Sequence, residues 1–326
     1  MRIVQYLITV AIVLTLNFFL PRMMPGDPLA ALEGDPAADV PVLLTEEARS
    51  KLLTYYGLDK PPLIQYRDYL LNVARGDMGW SIYYNVPVAT LLWGRLKWTL
   101  LLMGLATVIY TSLGILLGTL SAWYRGTRLD LGLLGGVFAL GSWPPFFLGM
   151  LLIIAFSVKL DLFPIGGVGN ATGEYPGALA RGADVAHHLV LPCVALVLSH
   201  LPSIYLMMRN SLLGVLGQDY IRTAQAKGLR ERFILTRHAL PNGLLPVVTM
   251  IAMRFGFLIT GTITVEVVFS YPGMGSLLQE AFRARDYPVL QGAFLLIMIT
   301  VLLFNLLAEL LYARLDPRTR RRWASA

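Results

Sequence analysis

The stretch Thr99 to Ser121, TLLLMGLATVIYTSLGILLGTLS, runs for 23 residues without a charged side chain. A helix of that length is about 35 Å long, enough to cross a hydrocarbon core about 30 Å thick. Five further runs share its character, at about Ile3 to Pro21, Leu131 to Val158, Leu189 to Met208, Leu244 to Val267 and Val289 to Leu311. Backbone groups in lipid have no water to bond, so a span is either a helix or part of a closed barrel. These runs show no period-two alternation, and the expected fold is all-α: a polytopic membrane protein with six transmembrane helices. Composition agrees, with 56% hydrophobic and 14% charged residues and a mean hydropathy of +0.62, against about 25% charged in an ordinary soluble domain. The single Cys193 excludes an intrachain disulfide framework and reads as a small packing residue.

The first run follows Arg2 and resembles a signal peptide at a glance. It is longer than a typical h-region, and Pro21-Arg-Met-Met-Pro-Gly-Asp27 offers no small-x-small cleavage site, so it reads as a retained span. Basic residues in short loops set the orientation. With the N-terminus inside, the inner segments carry fourteen Lys and Arg and the two short outer loops four: Lys159, Arg181, Arg283 and Arg285. Both termini are therefore expected in the cytoplasm. The expected organisation is a first helix over 1–21, an external helical segment over 22–98, and a five-helix transmembrane core over 99–326. A cytoplasmic loop at 219–241 interrupts that core. The net charge of +7 follows from this positive-inside pattern with some attraction to anionic membrane lipid, and calls for no nucleic-acid partner.

Within the external segment, Thr45 to Tyr56 has a Thr cap, two acidic first-turn residues and Gly57 as its stop, and predicts a short amphipathic helix. Gln65 to Ala74 predicts a second, ended at Gly76. Prolines at Ser142-Trp-Pro-Pro145, Pro192 and Pro202 predict bends inside the third and fourth spans.

The inner loop reads DYIRTAQAKGLRERFILTRHALP from Asp219 to Pro241. Its spacing predicts a helix over Gln218 to Lys227, interrupted at Gly228, then a second piece from Leu229 to about Leu240, where Pro241 forces a new direction. The small Thr223, Ala224 and Ala226 suit close approach by another surface, and Arg222, Lys227, Arg230 and Arg232 give such a contact electrostatic definition. A plain basic inner loop is the other reading, and composition leaves both open.

Arg222-Thr-Ala-x-x-x-Gly228, nine residues, then His238-x-Leu240-Pro241 resembles the EAA loop of ATP-binding-cassette importer permeases. Arg222-Thr223 stand where the general motif has Glu-Ala, and His238 where it has Ile, as in the branch handling peptides and nickel. Pro25-Gly-Asp-Pro28, Gly57-Leu-Asp-Lys-Pro61 with Gln65-Tyr66, Gly76-Asp-Met-Gly-Trp-Ser81 and Pro87-Val88 resemble the external segment of that branch. Glu266-Val-Val-Phe-Ser-Tyr-Pro-Gly-Met-Gly275, Asp286-Tyr-Pro288 and Leu315-Asp-Pro-Arg318 resemble its C-terminal signatures. The resemblance covers almost the whole chain. It implies the first permease subunit of a dipeptide, oligopeptide or nickel type importer in a bacterial or archaeal cytoplasmic membrane. Its implied partners are a second homologous permease, two cytoplasmic ATPases and an external solute-binding protein. Tyr220, Arg222, Thr223, Ala224, Lys227, Gly228, His238, Leu240 and Pro241 would then form the ATPase-coupling loop. ATP and Mg belong to the partner ATPases, and this chain is expected to bind no cofactor; none of its five lysines follows a glycine, so it has no phosphate loop. Peptides are the preferred substrate, with nickel complexes, glutathione or oligosaccharides as alternatives, because no His, Cys or carboxylate cluster offers a bare-metal site.

Arg254 sits in the middle of the fifth apolar run, where ionisable residues are functional candidates by default. It lines the route or bonds carbonyls of another helix, with route-lining preferred. Glu266 either helps to shut an outer gate or faces interfacial water. His187 and His188 project about 100° apart on a helix and read as interfacial histidines. Trp80, Tyr83, Tyr84, Trp93 and Trp98 read as an interfacial belt. No nucleophile, acid and base form a set, so no enzyme active site is expected. A secondary transporter, the alternative of another class, would bring inverted repeats that the sequence lacks.

Overall fold

In a computed structural model, residues 2–24, 29, 45–170, 173–255 and 262–315 are described below. The Pro25 to Pro28 motif, the end of the Leu315 to Arg318 motif and the basic C-terminal arginines from Arg318 onward lie outside them. The described residues form helices without a strand; an antiparallel bridge between Trp80 and Pro87 stands alone. The chain divides into two compact units, Met1–Trp98 with Gly273–Thr300, and Thr99–Pro272 with Val301–Ser325.

The first unit begins with α1, Arg2–Arg22. Helix α2, Glu46–Tyr55, starts as expected: Thr45 Oγ1 accepts from the Ala48 N–H, satisfying one orphan donor of the first turn. Helix α3, Pro62–Arg75, starts three residues earlier than Gln65 because Pro62 suits the first helical position, and it ends at a left-handed Gly76. Asn17 of α1 ties the unit together, donating to the Tyr69 hydroxyl at 3.0 Å and to the Gln291 carbonyl at 2.9 Å. Arg22 donates twice to Gln65 Oε1 and lies 3.7 Å above the Phe18 ring. The motif Asp286-Tyr-Pro288 acquires a structural meaning here. Asp286 is fully buried, accepts from Ser81 Oγ at 2.5 Å and from the Tyr83 N–H at 3.0 Å, and also takes the Val289 N–H at the start of α13, Tyr287–Leu315. One carboxylate thus caps a helix and fixes the Gly76 to Ser81 turn. Glu280 of α12, Met274–Ala284, accepts from Tyr84 Oη and pairs with Arg95 at 3.2 Å. Burial, then that bond, pushes the Tyr84 phenol up, so it stays a donor.

Helix α4, Val88–Trp123, is continuous over 36 residues, and the second unit holds it from Thr99 onward. The third apolar run does not form one helix. Helix α5, Arg128–Gly141, stops at Ser142, and α6, Pro145–Leu152, continues as a π-helical stretch, Ile153–Lys159, with a bend of 96° between the pieces. Two consecutive prolines explain this: Pro144 is held extended by Pro145, and Pro145 lacks the N–H that would continue α5. Helix α7, Ala178–Leu216, is 39 residues long and passes through Pro192 and Pro202, beginning well before Leu189. Three described helices, α4, α7 and Tyr287–Leu307 of α13, are long and apolar enough to cross a membrane, or four if the bent pair is one span. The apolar part of α1, Ile8–Arg22, is shorter. The fifth run is represented by α10, Leu240–Phe255, and α11, Ile263–Val268, with residues 256–261 outside the described set.

Candidate functional site

The loop after α7 folds as α8, Asp219–Ala226. Ile221 and Ala224, three residues apart on one face, are buried at 1% and 6% exposure. Tyr220, Arg222, Thr223, Gln225, Ala226 and Lys227 remain exposed on the other. Of the small residues, Ala224 therefore serves the inner seam, while Thr223 and Ala226 lie on the open side. The helix closes on Gly228: the Gly228 N–H bonds the Gln225 carbonyl at 2.9 Å and the Leu229 N–H the Ala224 carbonyl at 3.3 Å. This paired closure needs a left-handed residue, and Gly228 has φ +72°. Space is not the constraint, because a Cβ there would meet nothing within 4 Å.

Beyond Gly228 the structure corrects the expectation of a turn at Pro241. A short helix α9, Glu231–Phe233, passes into a π-helical stretch, Ile234–Ala239, and continues directly into α10 through Leu240 and Pro241. The wider π turn accommodates a residue that lacks an N–H, so the proline is absorbed without a break. His238 lies against Phe233, with ring centroids 5.6 Å apart. Leu240 is half-buried and Pro241 exposed.

Arg254 lies near the end of α10 as described and is partly exposed; its Nη2 donates to Ser203 Oγ of α7 at 2.8 Å. Glu266 on α11 is fully buried and accepts from Thr99 Oγ1 at 2.6 Å and Thr262 Oγ1 at 2.8 Å. It does not face interfacial water in this state. Arg254 and Glu266 are not brought together by any ion pair among the described residues. His187 Nε2 contacts the Leu162 carbonyl and His188 Nδ1 the Asp184 carbonyl, each at 2.9 Å, and no metal-ligating group of three occurs among the described residues.

Sequence reading missed a buried network. Arg209, one of the fourteen inner basic residues, donates from Nε and Nη2 to Asp130, both at 2.9 Å, and Ser121, Tyr205 and the Gly126 N–H complete the cluster. It ties α4, α5 and α7 together. The one available signal was an acidic residue, Asp130, at the edge of an apolar run.

Residues 114–321 match the family model described as binding-protein-dependent transport system inner membrane component. The chain is 36% identical over 304 residues to the oligopeptide transport system permease protein AppB of Bacillus subtilis (strain 168), covering 93% of this chain and 92% of that one. It is 38% identical over 323 residues to the dipeptide transport system permease protein DppB of Escherichia coli (strain K12), covering 94% of each. In structure it resembles the MetNI methionine ABC transporter in its inward-facing conformations, with a TM-score of 0.55 at 18% identity over 70% of this chain and 97% of that one. At that identity the likeness speaks for the fold alone. The family match spans more than half of the chain and the two relatives more than nine-tenths of it: the protein belongs to the binding-protein-dependent transport system inner membrane component family.

Proposed function

We propose that this chain is one permease subunit of an ATP-driven importer of di- and oligopeptides, coupled through α8 to a cytoplasmic ATPase. The observation that carries the coupling role is the build of the 219–241 loop: a short helix with one face seated on its own protein, a glycine-closed end, and Tyr220, Arg222, Thr223 and Lys227 left open. The full-length relatedness to dipeptide and oligopeptide permeases supports the substrate class. On this reading the complex holds a second permease and two ATPases and receives substrate from an external binding protein. The chain has six spans, residues 22–98 lie outside and both termini inside. Arg254 lines the route and Glu266 belongs to its outer gate. ATP and Mg stay with the ATPase subunits, and the chemistry of hydrolysis is theirs.

A seated helix transmits motion only if its exit is fixed, which makes Gly228 the residue to test. Gly228→Arg forces a side chain onto a left-handed backbone and aims it at the docking surface. The variant is expected to insert in the membrane at parental level yet lose Ala-Ala uptake and substrate-stimulated ATP hydrolysis in proteoliposomes of the complete importer. Normal uptake by that variant removes the coupling role, and purification of the parent without any ATPase removes the importer reading.

A further inference from the structure

We propose that Tyr110, His200, Ser203 and Arg254 form a carboxylate subsite within the membrane, which takes the C-terminal carboxylate of a peptide during passage. The proposal rests on the peptide-importer reading and names the part of the substrate that the intramembrane arginine recognises.

Arg254 lies fourteen residues beyond Leu240 on α10, roughly 21 Å along the helix axis and beyond reach of a lipid headgroup at the Leu240 end. A charge at that depth is costly unless compensated. Yet among the described residues no carboxylate pairs with Arg254, and its one side-chain hydrogen bond there is to Ser203 Oγ at 2.8 Å. That hydroxyl spends its own proton on the His200 carbonyl at 2.7 Å. Ser203 therefore accepts from the guanidinium and orients it, while the remaining N–H donors of Arg254 stay open on a partly exposed side chain.

The neighbouring helices carry further unspent polarity. His200, three residues before Ser203 and on the same face of α7, has a buried Nε2 without a hydrogen-bond partner. Its ring centroid lies 5.4 Å from that of the buried Tyr110 on α4. Thr107, three residues before Tyr110, lies on its side of α4, and the Thr107 hydroxyl is likewise buried without a partner. Elsewhere in the chain intrahelical threonines close onto the carbonyl four residues back, as Thr300 does on Leu296 at 2.8 Å. A planar cation with free, fork-arranged donors beside unspent hydroxyl and imidazole groups fits a planar anion with two acceptor oxygens. Every linear peptide with a free C-terminus carries one, whatever its side chains. The subsite thus serves passage of all such peptides and leaves sequence selection elsewhere.

The test uses the complete importer and its binding protein in proteoliposomes, with labelled Ala-Ala and its C-terminal amide supplied at equal occupancy of the binding protein. Peptides moved per ATP hydrolysed is the readout. Arg254→Gln should lower Ala-Ala transport about tenfold or more, the loss expected for a charge-assisted bond, and leave the amide near its parental level. Arg254→Lys should restore most Ala-Ala transport, since it keeps the charge while losing the fork. Equal loss of both probes in Arg254→Gln assigns a structural role and overturns the subsite, as does unchanged Ala-Ala transport. A parent complex that hydrolyses ATP but moves neither probe overturns the peptide reading itself.

Discussion

Asp130 is 3% exposed at its side chain and Arg209 14%, so both charges of this pair have left water. Such pairs repay desolvation only when the geometry is good and the remaining lone pairs are satisfied. Here both conditions hold, since the carboxylate also takes Ser121 Oγ and the Gly126 N–H. Removing one partner strands the other. Arg209→Met should cost about 3–5 kcal/mol in unfolding of the solubilised protein, and the double variant Asp130→Leu with Arg209→Met should recover most of that loss. Equal stability of the single and double variants would assign the pair to packing alone. At this scale the sequence was half legible: Arg209 was visible as a charge, but nothing in its neighbours named Asp130, 79 residues away, as its partner.

Among the elements, α4 and α7 approach closely where Gly114 and Gly118 face Ile204, Tyr205 and Met208. A Cβ on Gly114 would lie 2.6 Å from Ile204 Cγ2, and one on Gly118 would lie 2.7 Å from the Tyr205 carbonyl. The second contact is to backbone, which cannot turn aside. Small residues four apart allow helices in lipid, where burial gives no extra drive, to gain van der Waals contact. Gly118→Val should therefore cost about 1–3 kcal/mol through forced separation, read as a lower melting temperature of the solubilised protein. Gly104 on the same helix has nothing within 4 Å of a built Cβ, and Gly104→Ala should be neutral or slightly stabilising. A Gly118→Val protein that melts with the parent would dissolve the argument. The Gly-x-x-x-Gly spacing was legible in the sequence all along; which helix it met was not.

At the scale of the whole molecule the open expectation is sidedness. Charge asymmetry puts the 219–241 loop inside and residues 22–98 outside. In a Cys193→Ser background, Lys51→Cys should react with an impermeant maleimide in intact cells, and Arg230→Cys only after permeabilisation. Both positions are exposed, so silence cannot come from burial. Labelling of Arg230→Cys in sealed cells would reverse the orientation and detach α8 from any cytoplasmic ATPase.

The helical class, the apolar runs, the cap at Thr45 and the stop at Gly228 were legible in chain order alone, because these depend on local chemistry: side-chain transfer to lipid, one side-chain oxygen near one N–H, one residue free to take positive φ. Chain order also carried the spacing of the 219–241 motif. That Ala224 faces inward, that the helix runs through Pro241, and how sharply the third run bends at its prolines, 96°, depended on packing in three dimensions. The same holds for Asp286 meeting Ser81, Glu266 meeting Thr99, and Arg254 meeting Ser203. Each of those depends on which distant surface supplies the missing partner, and a buried polar group is tolerated only when that partner is present. Periodicity reports the need for such a partner; the packing of helices far apart in sequence supplies it.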